Sequence, residues 1–179
     1  MILEDYGKGV LSKNIASGIM KECKERKLPV AVDPKIDIAP FRGASLLKPN
    51  LAEAEALTGI RVRTDADLDR VGQQLQRRCG GGDVIITRGS KGMSLFDQSG
   101  ERMDVPTPPL EVYDVQGAGD TTIAALVLGL RAGGSLLEAA VIANAAAGVV
   151  VKKTGTATAN PEEVMEALPA AIAAARKKQ

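Results

Sequence analysis

Short apolar runs alternate with longer amphipathic stretches along this 179-residue chain. That is the pattern of a parallel sheet joined by crossover helices. Residues 1–3 read as the end of a strand. A helix over 12–27 follows, with Ser12 as N-cap and a Lys- and Arg-rich last turn. A second strand, 29–32, is closed by Asp33-Pro34, and a third, 44–47, by Lys48-Pro49-Asn50. A helix over 51–57 stops at Gly59. Thr64 caps a longer one, 65–79, with Asp65 and Asp67 in its first turn, and Gly80-Gly81-Gly82 ends it. Residues 84–87 are a fourth buried strand. Strands at 93–96 and 102–105, joined around Gln98-Ser99-Gly100, predict an antiparallel hairpin. After a loop at 106–109, helices are expected at about 118–131, 136–151 and 161–176. The first two are Ala-rich and apolar on most faces, as buried helices are. Neither a repeat nor a linker divides the chain, so one α/β domain over 1–179 is expected.

Composition narrows the chemistry. With 45% hydrophobic and 25% charged residues and a net charge of +1, the chain has a folded domain's balance, without an acidic tail or a basic nucleic-acid patch. Histidine is absent, which removes Ser-His-Asp and Cys-His catalysis and leaves acid–base work to Asp, Glu, Lys or Tyr. Cys23 and Cys79 form no CxxC pair and read as free thiols in a reducing cytoplasm. The start, MILEDYGKG, carries no signal-peptide pattern. The longest nearly apolar stretch, 123–130, falls well short of the roughly 20 residues that span a bilayer. Two Tyr, two Phe and no Trp offer little for base stacking. Neither nucleic acid nor membrane is expected as a partner.

The sharpest segment is Asp114-Val115-Gln116-Gly117-Ala118-Gly119-Asp120-Thr121-Thr122. Two glycines flank a small residue where an apolar helix begins, and an Asp follows at once. N–H groups at a helix start lack intrahelical partners and lie at the positive dipole end, so they can hold an anion. Asp120 beside them could take a proton from an attacking hydroxyl while the amides hold a transferring phosphoryl group. The same spacing also describes a plain glycine turn with Asp120 as a first-turn acid. Gly117 and Gly119 lack the third glycine of GxGxxG, and no GxxxxGK[ST] occurs.

Taken with three other segments, this one resembles the ribokinase-like carbohydrate kinases, whose second signature reads D-x-x-G-A-G-D. Lys48-Pro49-Asn50-Leu51-Ala52-Glu53 resembles that family's N-x-x-E motif. Thr87-Arg88-Gly89-Ser90-Lys91-Gly92 resembles its T-x-G-x-x-G nucleotide loop, and Ala143-Asn144-Ala145-Ala146 with Lys153-Thr154-Gly155 its adenine and monovalent-cation end. Asp5-Tyr6-Gly7-Lys8-Gly9-Val10-Leu11 and Val32-Asp33-Pro34-Lys35 look most like the branch that phosphorylates D-glycero-D-manno-heptose 7-phosphate in lipopolysaccharide precursor (ADP-heptose) synthesis. The resemblance runs from residue 1 to about 168. It implies a three-layer α/β fold with a mostly parallel sheet, helices on both faces and an antiparallel hairpin. It also implies ATP and a sugar phosphate as substrates, magnesium, potassium as a monovalent cation, and a homodimer as a compatible assembly.

Carried over residue by residue, the resemblance makes Asp120 the catalytic base and Gly117, Ala118 and Gly119 the anion hole. Asn50 and Glu53 would organise magnesium and phosphates, largely through water, as suits a hard ion that keeps part of its hydration shell. Read alone, the pair is equally a capped helix start. Thr87, Gly89 and Gly92 would line the nucleotide, and Asn144 would face adenine, although alone it reads as a polar residue on a packed Ala-rich helix. Asp114, Gln116 and Gly155 would lie near the monovalent cation, with Gln116 where many relatives carry Thr. Asp5, Lys8 and Lys35 would edge the acceptor site; both lysines also read as solvated loop residues.

The first residues already resemble a central strand, whereas open α/β sheets carry strands on both sides of a ligand crevice. The chain is therefore expected to be the nucleotide-binding C-terminal portion of a sugar kinase, without the N-terminal part and β lid, and inactive alone. The competing readings are a non-catalytic nucleotide-binding or assembly module, and a kinase for a pentose, hexose or nucleoside.

Overall fold

The computed structural model describes residues 1–176. By contacts the chain divides into two compact units, Met1–Thr87 with Ser94–Arg102, and Arg88–Met93 with Met103–Gln179. The division passes through the strands of the hairpin, where no change of composition marks it.

In the first unit, β1 (Ile2–Glu4), β2 (Ala31–Asp33), β3 (Leu46–Leu47) and β4 (Asp83–Thr87) run parallel. Their register sets Leu3, Val32, Leu47 and Val84 side by side in one buried row. Parallel neighbours need long connections. Helix α1 (Lys13–Glu25) joins β1 to β2, with Ser12 as N-cap and Ala16, Met20 and Cys23 on its buried face. Helices α2 (Leu51–Thr58) and α3 (Asp65–Cys79) join β3 to β4. Each opens on a capping box, Asn50 with Glu53 and Thr64 with Asp67, and closes on a left-handed glycine, Gly59 or Gly80. Gly72 gives α3 its close fit: a Cβ there would lie 2.4 Å from the Phe96 ring.

Two strands begin later than the apolar pattern indicates. Ser45 and Leu46 both donate their N–H to Val30 O, and regular pairing starts with Ala31 opposite Leu46. The β2–β3 connection has no α-helix but a short 3-10 turn, Ala39–Phe41, which buries Ile38 and Phe41. Both cysteines are buried and free.

The strand order is β1-β2-β3-β4-β5-β6, with β5 (Met93–Phe96) and β6 (Arg102–Val105) last. A five-residue connection between neighbouring strands permits only the antiparallel arrangement, which makes the sheet mixed, as expected. In the second unit, α4 (Ala118–Arg131), α5 (Leu136–Val150) and α6 (Pro161–Arg176) follow, with Pro169 inside α6. Helix α5 is buried through much of its Ala-rich length. Helix α4 hides only Thr122, Ile123, Leu126 and Gly129, and Leu128 is exposed, so burial on most faces holds for α5 and not for α4. Among the described residues no helix is long and apolar enough to cross a membrane.

Candidate functional site

On the first unit the candidate side chains stand where the parallel strands end. Lys48, one residue past β3, is 2% exposed, and its Nζ lies 2.5 Å from Asp33 Oδ2 at the end of β2. Lys35, two residues past Asp33, places its Nζ 2.7 Å from Glu53 Oε1. The other carboxylate oxygen, Oε2, accepts the Asn50 N–H at 2.9 Å, while Asn50 Oδ1 accepts the Glu53 N–H at 2.9 Å. Glu53 thus faces a backbone amide with one oxygen and a mobile ammonium with the other. The Lys35 pKa is raised, chiefly by its hydrogen bond to Glu53 and that carboxylate's charge, with smaller help from Asp33 and Asp5.

Asp5 joins this group through its backbone: its N–H donates to Asp33 O at 3.0 Å, and its Oδ1 accepts the Gly7 N–H at 2.8 Å. Thr87, at the end of β4, bridges to Asn50, and its N–H donates to Pro49 O at 3.0 Å. Lys8 is exposed in the loop after β1, and among the described residues no hydrogen bond or ion pair ties it to the others.

The second unit offers backbone geometry instead. Gly117, the N-cap of α4, is left-handed at φ 75°, and no side chain caps the helix. An L side chain rarely adopts that conformation. A Cβ on Gly117 would stand 3.7 Å from Thr156 Cγ2 and 3.8 Å from Ala157 O, and the Ala118 N–H donates to Val115 O at 3.3 Å. Asp120 lies exposed in the first turn. Asp114 Oδ1 accepts the Gln116 N–H and Oδ2 the Gly155 N–H, each at 3.0 Å. These bonds hold its pKa below the usual aspartate range. The Tyr113 and Asp114 N–H groups both donate to Val151 O. The loop before α4 is thereby fastened to the turn after α5.

Asn144 is buried on α5, where its Nδ2 donates to Pro106 O at 2.9 Å. Its Oδ1 lies 3.1 Å from Thr107 Oγ1, which is also 3.4 Å from Gly89 O. A single hydroxyl proton serves one acceptor at a time. Gly92 closes the short turn Gly89–Lys91 at φ 86°, where a Cβ would lie 2.0 Å from Val105 O.

The profile of the pfkB family carbohydrate kinases matches residues 10–163. The chain belongs to that family. Among its relatives is the bifunctional protein HldE of Geobacter metallireducens, 45% identical over 166 residues. That match takes in 92% of this chain and 34% of the relative. HldE of Azorhizobium caulinodans is 47% identical over 170 residues, 94% of this chain and 35% of the relative. The chain therefore spans about a third of the length of these curated relatives. Among solved carbohydrate kinases, Arabidopsis thaliana ribokinase, in complex with ribose and ATP, superposes with a TM-score of 0.85 at 26% identity. It covers 93% of this chain and 55% of the ribokinase chain. Escherichia coli phosphofructokinase-2, in complex with potassium, shares the fold at a TM-score of 0.79 and 19% identity, over 90% of this chain and 53% of its own.

Three interactions escaped the sequence reading. Lys48 and Asp33 pair across neighbouring strands, and Arg88 pairs with Asp104 at 3.2 Å with both side chains largely buried. Thr107 links Asn144 to the turn at Gly89. Only Lys48 carried a signal: a charge directly after the apolar run 44–47.

Proposed function

We propose that the chain is the nucleotide-binding portion of an ATP-dependent sugar kinase. Its γ-phosphoryl acceptor is a hydroxyl of a sugar phosphate, D-glycero-D-manno-heptose 7-phosphate. The observation that carries the reading is the start of α4, where a left-handed glycine leaves the helix without a side-chain cap and Asp120 stands in the first turn. Family membership and the similarity to HldE proteins support the class. The segments around Asp5 and Lys35 support the heptose.

In this mechanism Asp120 takes the proton of the attacking hydroxyl. The amides at Gly117, Ala118 and Gly119 hold the charge that spreads over the transferring phosphoryl oxygens. Gly89 has nothing within 4 Å of where a Cβ would stand, which suits close approach of a nucleotide, while Gly92 closes the same turn against the backbone at Val105. Asn50 and Glu53 fit a hard cation, because a cation, the Lys35 ammonium, already rests on Glu53 Oε1. Magnesium, when bound, neutralises phosphate charge there. Asp114 with Gln116 and Gly155 fits a monovalent cation, since two backbone N–H bonds keep its carboxylate ionised.

The test is Asp120→Asn in the kinase that contains this chain. At matched thermal stability and saturating substrates, kcat should fall at least ~100-fold with little change in ATP affinity. Near-wild-type turnover would sink the base assignment and favour a non-catalytic nucleotide-binding module. The 179-residue chain by itself should show no useful turnover in a coupled ADP-release assay with a panel of sugar phosphates. Robust acceptor-dependent turnover would show that it needs no further segment.

A further inference from the structure

The two oxygens of Glu53 are held very differently. Oε2 is held in the capping box of α2 by a backbone amide, so the carboxylate cannot turn away without giving up that bond. Oε1 is held by Lys35, whose side chain is half exposed on a flexible four-carbon stem. Asp33, a second carboxylate nearby, is already engaged by the buried Lys48 ammonium. Three carboxylates, Asp5, Asp33 and Glu53, thus face two ammonium groups, Lys35 and Lys48. Of these contacts, the one between Lys35 and Glu53 Oε1 is the easiest to exchange.

We infer that Lys35 is an exchangeable stopper: it covers Glu53 Oε1 in the empty protein, and a divalent cation arriving with nucleotide takes that oxygen and drives Lys35 onto a phosphate group. The inference rests on the reading of Glu53 as part of the metal–nucleotide site. The physical reason is local charge. A doubly charged ion replacing a single ammonium at Oε1 repels Lys35, and the same ion brings a polyanion that offers the ammonium a new partner. One residue therefore opposes the bare metal and favours the metal–nucleotide complex. Holding an ammonium on Glu53 until nucleotide arrives also keeps the free metal from occupying the site unproductively.

This predicts opposite shifts for the bare metal and for the metal–nucleotide complex, with the first of them dependent on Glu53. Affinities of the kinase that contains this chain for Mn2+ alone, and for Mn2+ with a non-hydrolysable ATP analogue, can be read by water-proton relaxation without any turnover. Lys35→Met should bind Mn2+ alone at least ~3-fold more tightly than wild type, and Lys35→Met/Glu53→Gln should lose that gain. Lys35→Met should bind the Mn2+–analogue complex at least ~3-fold more weakly, and Lys35→Arg should restore it. If both affinities move in the same direction, or neither moves, while Glu53→Gln still weakens the Mn2+–analogue complex, the stopper is wrong and the metal site stands. If Glu53→Gln leaves the Mn2+–analogue affinity unchanged, or no complex forms, the metal-site reading falls and the stopper with it.

Discussion

The two units offer different materials for a site. On the first, the residues are charged side chains paired with one another: Lys48 with Asp33, Lys35 with Glu53. On the second they are main-chain shapes: left-handed Gly117 and Gly92, and an aspartate wrapped by backbone amides. Charge can be altered with little change of shape, whereas a turn built on glycine tolerates no added carbon. The first set should answer to charge substitution, the second to a single methyl group.

The largest effect expected from this contrast is at Gly92. Gly92→Ala puts a carbon against Val105 O in a conformation that L residues avoid, and should destabilise the protein by at least ~3 kcal/mol in denaturant unfolding. A loss under about 1 kcal/mol would show that the turn can relax. Lys48→Met comes next. Removing the ammonium from the 2.5 Å pair with Asp33 should cost about 3 kcal/mol, and Asp33→Leu/Lys48→Met should recover most of it. If the double variant is no better than the single, the pair does more than neutralise its own buried charge.

Asn50→Ala should cost about 1 kcal/mol through loss of the α2 cap, and Asn50→Asp should keep most of that stability. A larger loss would mean that Asn50 supports more than its helix. The smallest effect separates charge from shape far from the site. Burial, then the nearby charge of Asp97, raises the Asp83 pKa. A carboxyl whose folded pKa lies above its unfolded value favours the fold at low pH, and that advantage is lost as pH rises through the folded value. Asp83→Asn should therefore stabilise the protein by a few tenths, ~0.5 kcal/mol at most, well above the aspartate range and not below it. Thermal unfolding at two pH values would show it.

Much of the architecture was legible because it depends on local signals. Thr64 and Asp67 announced the start of α3, Gly59 the end of α2, and Gln98-Ser99-Gly100 the hairpin. What escaped depends on register. Ile38 and Phe41 sit in a stretch of mixed polarity and are buried only because the β2–β3 connection folds back as a 3-10 turn. Lys48 and Asp33 are fifteen positions apart and meet only because β2 and β3 are neighbours in one register. The glycine-flanked Asp120 could be singled out from spacing and chemistry. The partners of Asn144 could not, because Pro106 and Gly89 contribute carbonyls that every residue type possesses.

The short parallel strands also carry a consequence for insertions and deletions. Strands β1 and β2 have three residues each and β3 only two, and Asp5, Asp33, Lys35, Lys48 and Asn50 lie at their last residue or within three positions beyond it. Successive residues of a strand face opposite sides of the sheet. Losing the codon for Ala31 would turn Val32 out of the buried row and swing Asp33 away from Lys48 in the same step. Neither error could be repaired without the other, so this stretch should accept point substitutions over long evolutionary times while its length stays frozen.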